Sequence, residues 1–216
     1  METKPSPVPL EKITPEVEKL ILSEMEKDIA GVEDEATKEF YRELVHDFRE
    51  SEYLFLRWMG DKFKPAKVLY MASGHDIVPK TVLGEEHVVH MSMENYLSVA
   101  GESGETYRDK KYYPGLGGGR KVIGNVTHTP FADSSFQAVL LQDLPIPEIE
   151  GLRQQAKRVV ESGGVIVLSR SLQTVESEEI QLSQLDKDPE LERLEIPQEL
   201  QERGVSESKF FVYRKK

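Results

Sequence analysis

Histidine and aspartate residues recur where short apolar runs of the sequence end. His75 and Asp76 follow the first such run, and His90 lies within the second. His128 and Asp143 follow the third and fourth runs. If these side chains converge, imidazole and carboxylate groups could form a general acid–base pair or an N/O metal site. The default interpretation is scattered loop or packing histidines, because sequence supplies no convergent geometry. His128 and Asp143 are the candidate catalytic residues, and we predict no metal ligands.

The segment Gly101–Arg120 is a second candidate for function. This glycine-rich segment contains three tyrosines and four basic residues, Tyr107, Arg108, Lys110, Lys111, Tyr112, Tyr113 and Arg120. Such a segment could be a lid or a contact for an anionic substrate or a base. A solvated connection is the default interpretation. Its glycine run precedes a predicted strand instead of following one, so it is not a dinucleotide-binding fingerprint.

The elements that position these residues are short apolar strands. Runs bordered by turn residues favour buried strands. We predict strands at 66–72, 87–93, 121–126, 137–141, 165–169 and 210–213. A helix is predicted over 147–160, with Arg153, Lys157 and Arg158 facing outward. Strands that alternate with crossovers predict an α/β fold with a doubly wound, mostly parallel sheet.

The first sixty residues have helical signals. Thr14-Pro15 is a helix start, with threonine as N-cap and proline at the first helical position. A second helix is predicted over 35–55, with its aromatic residues in the core and Gly60 and Pro65 at its exit. Three prolines within residues 4–9 indicate a mobile arm. We divide the chain into a mobile arm (1–12), an N-terminal helical extension (13–64) and a Rossmann-like domain (65–216).

Charge and composition exclude several classes of protein. The chain has 216 residues, no cysteine and a net charge of −11. The negative charge lies in the flanks, because residues 61–172 hold 13 basic and 13 acidic residues. A general nucleic-acid binder is therefore not expected, and neither are disulfides or thiolate metal sites. No run is long enough to span a membrane, and the N-terminus has no secretory signal. We predict a cytoplasmic protein with no membrane contact.

Three segments carry a resemblance to a known family. VLYMASG at 68–74 is an apolar strand that enters a glycine turn, and RVVESGGVIV at 158–167 is a helix, a Gly-Gly step and a strand. The most specific motif is PFADSSF at 130–136, followed by an apolar strand. In order and spacing, these segments resemble the core of the small-molecule class I S-adenosylmethionine-dependent methyltransferases. The resemblance covers about half of the chain, residues 66–171, and implies a Rossmann-like sheet of seven strands.

The resemblance implies S-adenosylmethionine as the cofactor, bound by loops that follow the first three strands. The matching positions are Ala72, Ser73, Gly74, Asp76, Ser92, Met93, Asn125 and Val126. Gly74 alone remains of the turn's three glycines, and Tyr70 stands at the acidic position of strand one. Ser92 replaces the acid that holds the ribose, and Asn125 replaces the aspartate on the adenine side. A hydroxyl makes one bond where a carboxylate makes two charge-assisted ones, which predicts weak or lost cofactor binding.

Two functions stay open at this point. The first is a methyltransferase-like enzyme with an unknown acceptor, a small-molecule substrate and His128 or Asp143 as the base. The second is a catalytically inactive relative that acts as a binding or regulatory module for a protein partner. That partner would contact the acidic flanks or the segment Gly101–Arg120. The fold by itself does not decide between them.

Overall fold

A computed structural model describes residues 35–71, 78–92, 120–123, 127–142, 149–169, 185–207 and 209–216, together with six positions between 15 and 26. The helices are α1 (Glu35–Phe63), α2 (Val78–Leu83), α3 (Ile149–Val159) and α4 (Gln198–Gln201). The strands are β1 (Val68–Met71), β2 (Val88–Ser92), β3 (Arg120–Ile123), β4 (Phe136–Gln142), β5 (Val160–Ser169), β6 (Leu191–Leu194) and β7 (Phe210–Lys215). Within those residues, no helix has the length and apolar character that crossing a bilayer would take.

All seven strands form one sheet, in the order β3-β2-β1-β4-β5-β7-β6. The first five strands are mutually parallel, whereas β7 is antiparallel to both β5 and β6. The prediction of a mostly parallel α/β sheet is therefore confirmed. The order reverses between β1 and β4, because β2 and β3 lie on one side of this pair and β5 on the other. In open α/β sheets, such a switch point opens a crevice at the carboxyl ends of the strands.

Two apolar layers cover the faces of the sheet. On one face, α1, α2 and α4 pack over alternate residues of the strands, including Val68 and Tyr70. On the other face, α3 packs over the intervening residues, including Leu69 and Met71. Successive residues of a strand point to opposite faces, so a strand covered on both faces is apolar throughout. This is why short apolar runs marked the central strands in the sequence.

The helix α1 is longer than the sequence predicted. It continues to Phe63 instead of ending near Phe55. Gly60 lies inside the helix, where an added Cβ would be 3.1 Å from Leu83 Cδ2 of α2. Gly60 therefore allows α1 and α2 to approach each other closely. The helix ends only at Lys64, which has a φ of 44°. The predicted core role of the aromatic residues is confirmed for Phe55, which is 1% exposed.

The predictions for the two ends of the chain can be compared with the structure only in part. The described positions between 15 and 26 are helical and exposed, as expected for a helix that starts after Thr14. The predicted mobile arm (1–12) and the segment 101–119 lie outside the described residues. The strand β6 was not predicted, because Glu192 and Arg193 interrupt its apolar pattern.

The C-terminal region folds back over α3 through charged side chains. Lys157 Nζ donates to Asp188 Oδ2 at 2.6 Å and also pairs with Glu190. Partial burial alone would raise the pKa of Asp188, but the hydrogen bond from Lys157 outweighs it, and the pKa is lowered. Lys215 Nζ donates to the carbonyl oxygens of Lys157 and Val160, which lie where α3 passes into β5. Lys157, which was predicted to face outward, is thus 23% exposed and held by two carboxylates of the C-terminal region.

Candidate functional site

Four neighbouring strands end at the same edge of the sheet. Met71 ends β1 and is in register with Met91 of β2 and with Leu141 of β4. Ser92 ends β2 and is in register with Ile123, the last residue of β3. The sheet thus brings together the starting points of every segment that the sequence predicted to bind the cofactor. We call this boundary, formed by the carboxyl ends of β1 to β4, the carboxyl edge.

Of those segments, the structure describes only the residues at which they leave the strands. Ala72, Ser73, Gly74, Asp76, Met93, Asn125, Val126 and Asp143 lie outside the described residues. Ser92 is described as the terminal residue of β2, the strand that pairs directly with β1. Tyr70 and Met91 belong to the two apolar layers below the carboxyl edge and are 1% and 0% exposed. Their side chains are therefore packed within the two layers.

Two histidines of the predicted cluster, His90 and His128, belong to the described residues and occupy different environments. His90 is buried, and its ring centroid lies 5.6 Å from that of Tyr70, its register partner on β1. His128 is exposed, and its Nδ1 forms a hydrogen bond of 2.9 Å with Thr127 Oγ1. His90 belongs to the layer under α1, whereas His128 lies on a loop that packs against α3. His75 lies outside the described residues, as does the remainder of the predicted His/Asp cluster. Among the described residues, no group of His, Asp and Glu side chains has metal-ligand geometry.

The loop between β3 and β4 is organised by Arg158 at the end of α3. Its NH2 donates to the Thr129 carbonyl oxygen (3.0 Å) and to Thr129 Oγ1 (2.8 Å), and its NH1 donates to the Phe131 carbonyl oxygen (2.7 Å). NH1 also donates to Asp133 Oδ1 at 2.7 Å. Gln155 Oε1 accepts hydrogen bonds from the Arg158 guanidinium and from Thr129, so the two residues of α3 act together. The planar guanidinium, with five donors, suits such a set of carbonyl acceptors.

The same loop explains the PFADSSF motif at 130–136. The Phe131 ring packs edge-on against that of Phe136 with centroids 4.9 Å apart, which seals the start of β4. The amides of Ser134 and Ser135 donate to the carbonyl oxygens of Arg158 and Val159 at 2.9 and 2.8 Å. These bonds attach the turn to the point where α3 passes into β5. The motif therefore fixes the loop that runs from the carboxyl end of β3 to the start of β4.

A glycine contact connects this loop to the start of α3. An added Cβ on Gly151 would lie 3.1 Å from Thr127 Cβ. Such a distance leaves no room for a side chain unless Thr127 moves. The chain that leaves β3 is thus held against the first turn of α3, next to the carboxyl edge. Asn125 and Val126 directly precede this contact in the sequence.

Backbone geometry explains why glycine occupies positions 163 and 164. Gly163 has a φ of +81°, a conformation that side-chain-bearing residues rarely adopt. At Gly164, an added Cβ would be 2.8 Å from the Gln137 carbonyl oxygen of β4. The pairing of β4 with β5 shifts register nearby, between Phe136 and Ala138. The two glycines therefore shape the β5 strand at its amino half, far from the carboxyl edge.

Replacing Arg158 with methionine should destabilise the protein by about 2–4 kcal/mol, because several partly buried acceptors lose their donor together. Chemical denaturation followed by circular dichroism measures the effect. The matched control is Asp133→Asn, which removes only the exposed partner of the network; its carboxyl side chain is 76% exposed. We expect this control to cost less than about 1 kcal/mol. Equal losses for the two variants would contradict the central role of Arg158.

The sequence analysis missed the environment of two residues, Arg158 and Glu52. Arg158 was predicted to face outward, and its side chain, which is 31% exposed, holds the loop. Glu52 was not singled out, yet it is 2% exposed within α1. A helical-face count around Phe55 would have placed Glu52 on the buried side. No local signal could have identified this role of Arg158, because its acceptors in the loop are 25 to 29 positions away in the sequence.

Comparisons with known proteins identify the fold. No protein-family model matches the chain, and no curated protein matches it in sequence. Its structure is similar to that of a candidate O-methyltransferase from Klebsiella pneumoniae, with 10% identity, a TM-score of 0.55, and 95% of this chain and 92% of that chain covered. A candidate caffeoyl-CoA O-methyltransferase from Staphylococcus aureus gives 11% identity, a TM-score of 0.51, and coverage of 81% and 91%. A candidate S-adenosyl-L-methionine-dependent methyltransferase from Methanococcus maripaludis gives 11%, 0.50, and coverage of 100% and 96%.

Proposed function

We propose that this chain, which has the class I methyltransferase fold, binds S-adenosylmethionine at its carboxyl edge and methylates a small-molecule acceptor. The observation that carries the proposal is the strand order, which places the ends of β1 to β4 side by side at the switch point. Each sequence segment that resembles a cofactor-binding loop starts from one of these ends. Three solved structures with similar folds, all of them methyltransferase candidates, support the same assignment.

The residue types at this edge suit the cofactor in part of their chemistry. Gly74 would give the backbone amides access to the methionine end, and the Ser92 hydroxyl would bind the ribose. The amide oxygen of Asn125 would accept a hydrogen bond from the adenine amine. Met93 and Val126 would provide apolar contacts beside them.

The bound cofactor would supply an electrophilic methyl group on a sulfonium centre. The role of the protein is then to align the acceptor and to exclude water. A nucleophile that loses a proton needs a base, and His128 and Asp143 are the candidates in the loops after β3 and β4. His128 is exposed and hydrogen-bonded to Thr127, so its ring is accessible from solvent. The segment Gly101–Arg120, which leads into β3, would cover the acceptor.

Calorimetric titration of the full chain tests the proposal with S-adenosylmethionine and with its demethylated product, S-adenosylhomocysteine. We expect both to bind, and roughly 10²–10³ more weakly than a site with a carboxylate at position 92 would, since Ser92 forgoes two charge-assisted bonds. ATP serves as the control, because it shares the adenosine but carries phosphates in place of the amino-acid end. No heat from either ligand at millimolar concentration would refute cofactor binding.

A further inference from the structure

The loop that follows β3 is attached to α3 at three successive points. At the first point, an added Cβ on Gly151 would lie 3.1 Å from Thr127 Cβ. Four residues further along α3, Gln155 Oε1 accepts a hydrogen bond from Thr129 Oγ1 at 3.1 Å. Three residues after that, Arg158 donates to carbonyl oxygens of the loop. Residues four and three positions apart lie on one side of a helix, so the loop follows a single face of α3.

The contact between Gly151 and Thr127 lies on the side of the carboxyl edge. The chain leaves β4 at this edge and enters the parallel strand β5 at the opposite edge, so α3 runs back between them. The first turn of α3, which includes Gly151, is therefore the part of the helix beside the carboxyl edge. Thr127 follows Ile123, the last residue of β3, by four positions. The contact thus belongs to one of the segments that were predicted to bind the cofactor.

Backbone geometry does not explain the glycine at position 151. Gly151 is the third residue of a regular α-helix and does not have a positive φ. Apart from proline, glycine is the poorest helix former, so almost any other residue would favour α3 itself. The loop is what excludes a side chain, because an added Cβ would also lie 3.2 Å from Thr127 Cγ2. The glycine therefore sets the position of the loop relative to α3.

Only a short length of chain separates this contact from the end of β3. Ile123 is held by the pairing of β3 with β2, where it is in register with Ser92. Thr127 is held against Gly151. Three residues, 124–126, connect these two points, and Asn125 is the middle one. So short a connection spans at most about 14 Å, and it has little chain in which a displacement of Thr127 could be absorbed before Asn125.

We infer that Gly151 is a positioning residue whose lack of a side chain allows Asn125 to recognise the 6-amino group of the cofactor's adenine. The inference rests on the proposed function, in which the Asn125 amide oxygen accepts a hydrogen bond from that amine. Hydrogen bonds weaken steeply when their distance and angle depart from the optimum. A side chain at position 151 would displace Thr127 and weaken this bond. The ribose and the methionine end would be unaffected, because the segments after β1 and β2 bind them.

The test compares two ligands that differ only in that amine. They are S-adenosylhomocysteine and its 6-deamino analogue, in which purine replaces adenine. In calorimetric titration of the full chain, the wild type should bind the ligand with the amine about 3- to 10-fold more tightly, as one neutral hydrogen bond provides. Gly151→Val should reduce this preference to less than about twofold. Gly151→Ala introduces a smaller overlap and should reduce the preference less, so it provides the same comparison should Gly151→Val not fold.

The matched controls are the same substitutions at Gly60, Gly60→Val and Gly60→Ala. An added Cβ on Gly60 would also lie 3.1 Å from its nearest neighbour, which is Leu83 Cδ2. Leu83 is the last residue of α2, and the chain then enters β2 at the edge of the sheet opposite to the carboxyl edge. The Gly60 variants therefore crowd a helix contact away from the site, and they should keep the wild-type preference for the amine.

Several outcomes would overturn the inference. An unchanged preference for the amine in the Gly151 variants would show that Gly151 does not position Asn125. If both ligands lose affinity equally in these variants, the role of Gly151 is structural only. Equal affinities of the wild-type protein for the two ligands would show that Asn125 does not recognise the amine, while cofactor binding itself would stand. A wild-type protein that binds neither ligand would refute the proposed function together with this inference.

Discussion

Replacing Ser92 with aspartate should tighten the binding of S-adenosylhomocysteine by roughly 10²–10³, because a carboxylate makes two charge-assisted bonds to the ribose diol. Ser92 is the last residue of β2, and β2 lies directly beside β1 at the carboxyl edge. The substitution changes only the end of a strand whose backbone pairing with β3 is already in place. Calorimetric titration of the full chain gives the two dissociation constants.

Serine-to-aspartate replacement at Ser162 is the matched control. Ser162 is exposed and lies in the amino half of β5, away from the carboxyl edge. Ser162→Asp adds the same charge and should change the affinity less than about twofold, because exposed charges that far apart are screened. If Ser92→Asp folds normally but binds the product no more tightly than the wild type, the end of β2 does not hold the ribose. A carboxylate from Glu94, two residues further on, would then be the alternative ribose ligand.

Truncation of Phe55 to alanine should lower the free energy of unfolding by about 3–5 kcal/mol, the usual cost of deleting a buried aromatic ring. Phe55 is 1% exposed, and its ring lies nearly parallel to that of Phe210, at an interplanar angle of 9°. The contact joins the predicted N-terminal extension to β7, the last strand in the chain. Chemical denaturation, followed separately by far-ultraviolet circular dichroism and by the fluorescence of Trp58, measures the change.

Two comparisons make this result specific. Phe55→Leu keeps most of the apolar volume and should cost about 1–2 kcal/mol, since mainly the ring contact is lost. Leu22→Ala, at a side chain that is 41% exposed, should change stability by less than about 0.5 kcal/mol. We propose that residues 35–63 unfold together with 65–216, so that both signals change at one denaturant concentration. A cost below about 1 kcal/mol for Phe55→Ala, or two separate transitions, would show that α1 is an independent unit.

Much of the fold follows from local patterns in the sequence. The central strands are short apolar runs, α3 has apolar residues at helical spacing, and the predicted bounds of these elements lie within five positions of the observed ones. The exceptions have physical causes. The four residues of β6 lie at the edge of the sheet, where a strand can carry charged residues. Glu192 and Arg193 therefore interrupt the apolar pattern by which a strand is predicted. Gly60 does not end α1, because its contact with Leu83 of α2 compensates for the low helix propensity of glycine.

The candidate site divides in the same way. The sequence alone determined the fold class and placed the candidate cofactor residues directly after apolar strands, because strand patterns and turn residues act within a few neighbouring positions. Only the tertiary structure decided that α1 packs against β7 and that Arg158 holds the loop before β4. Both depend on contacts between residues far apart in the chain, such as the stacking of Phe55 on Phe210. Such contacts form when the whole core packs, and no local pattern specifies them.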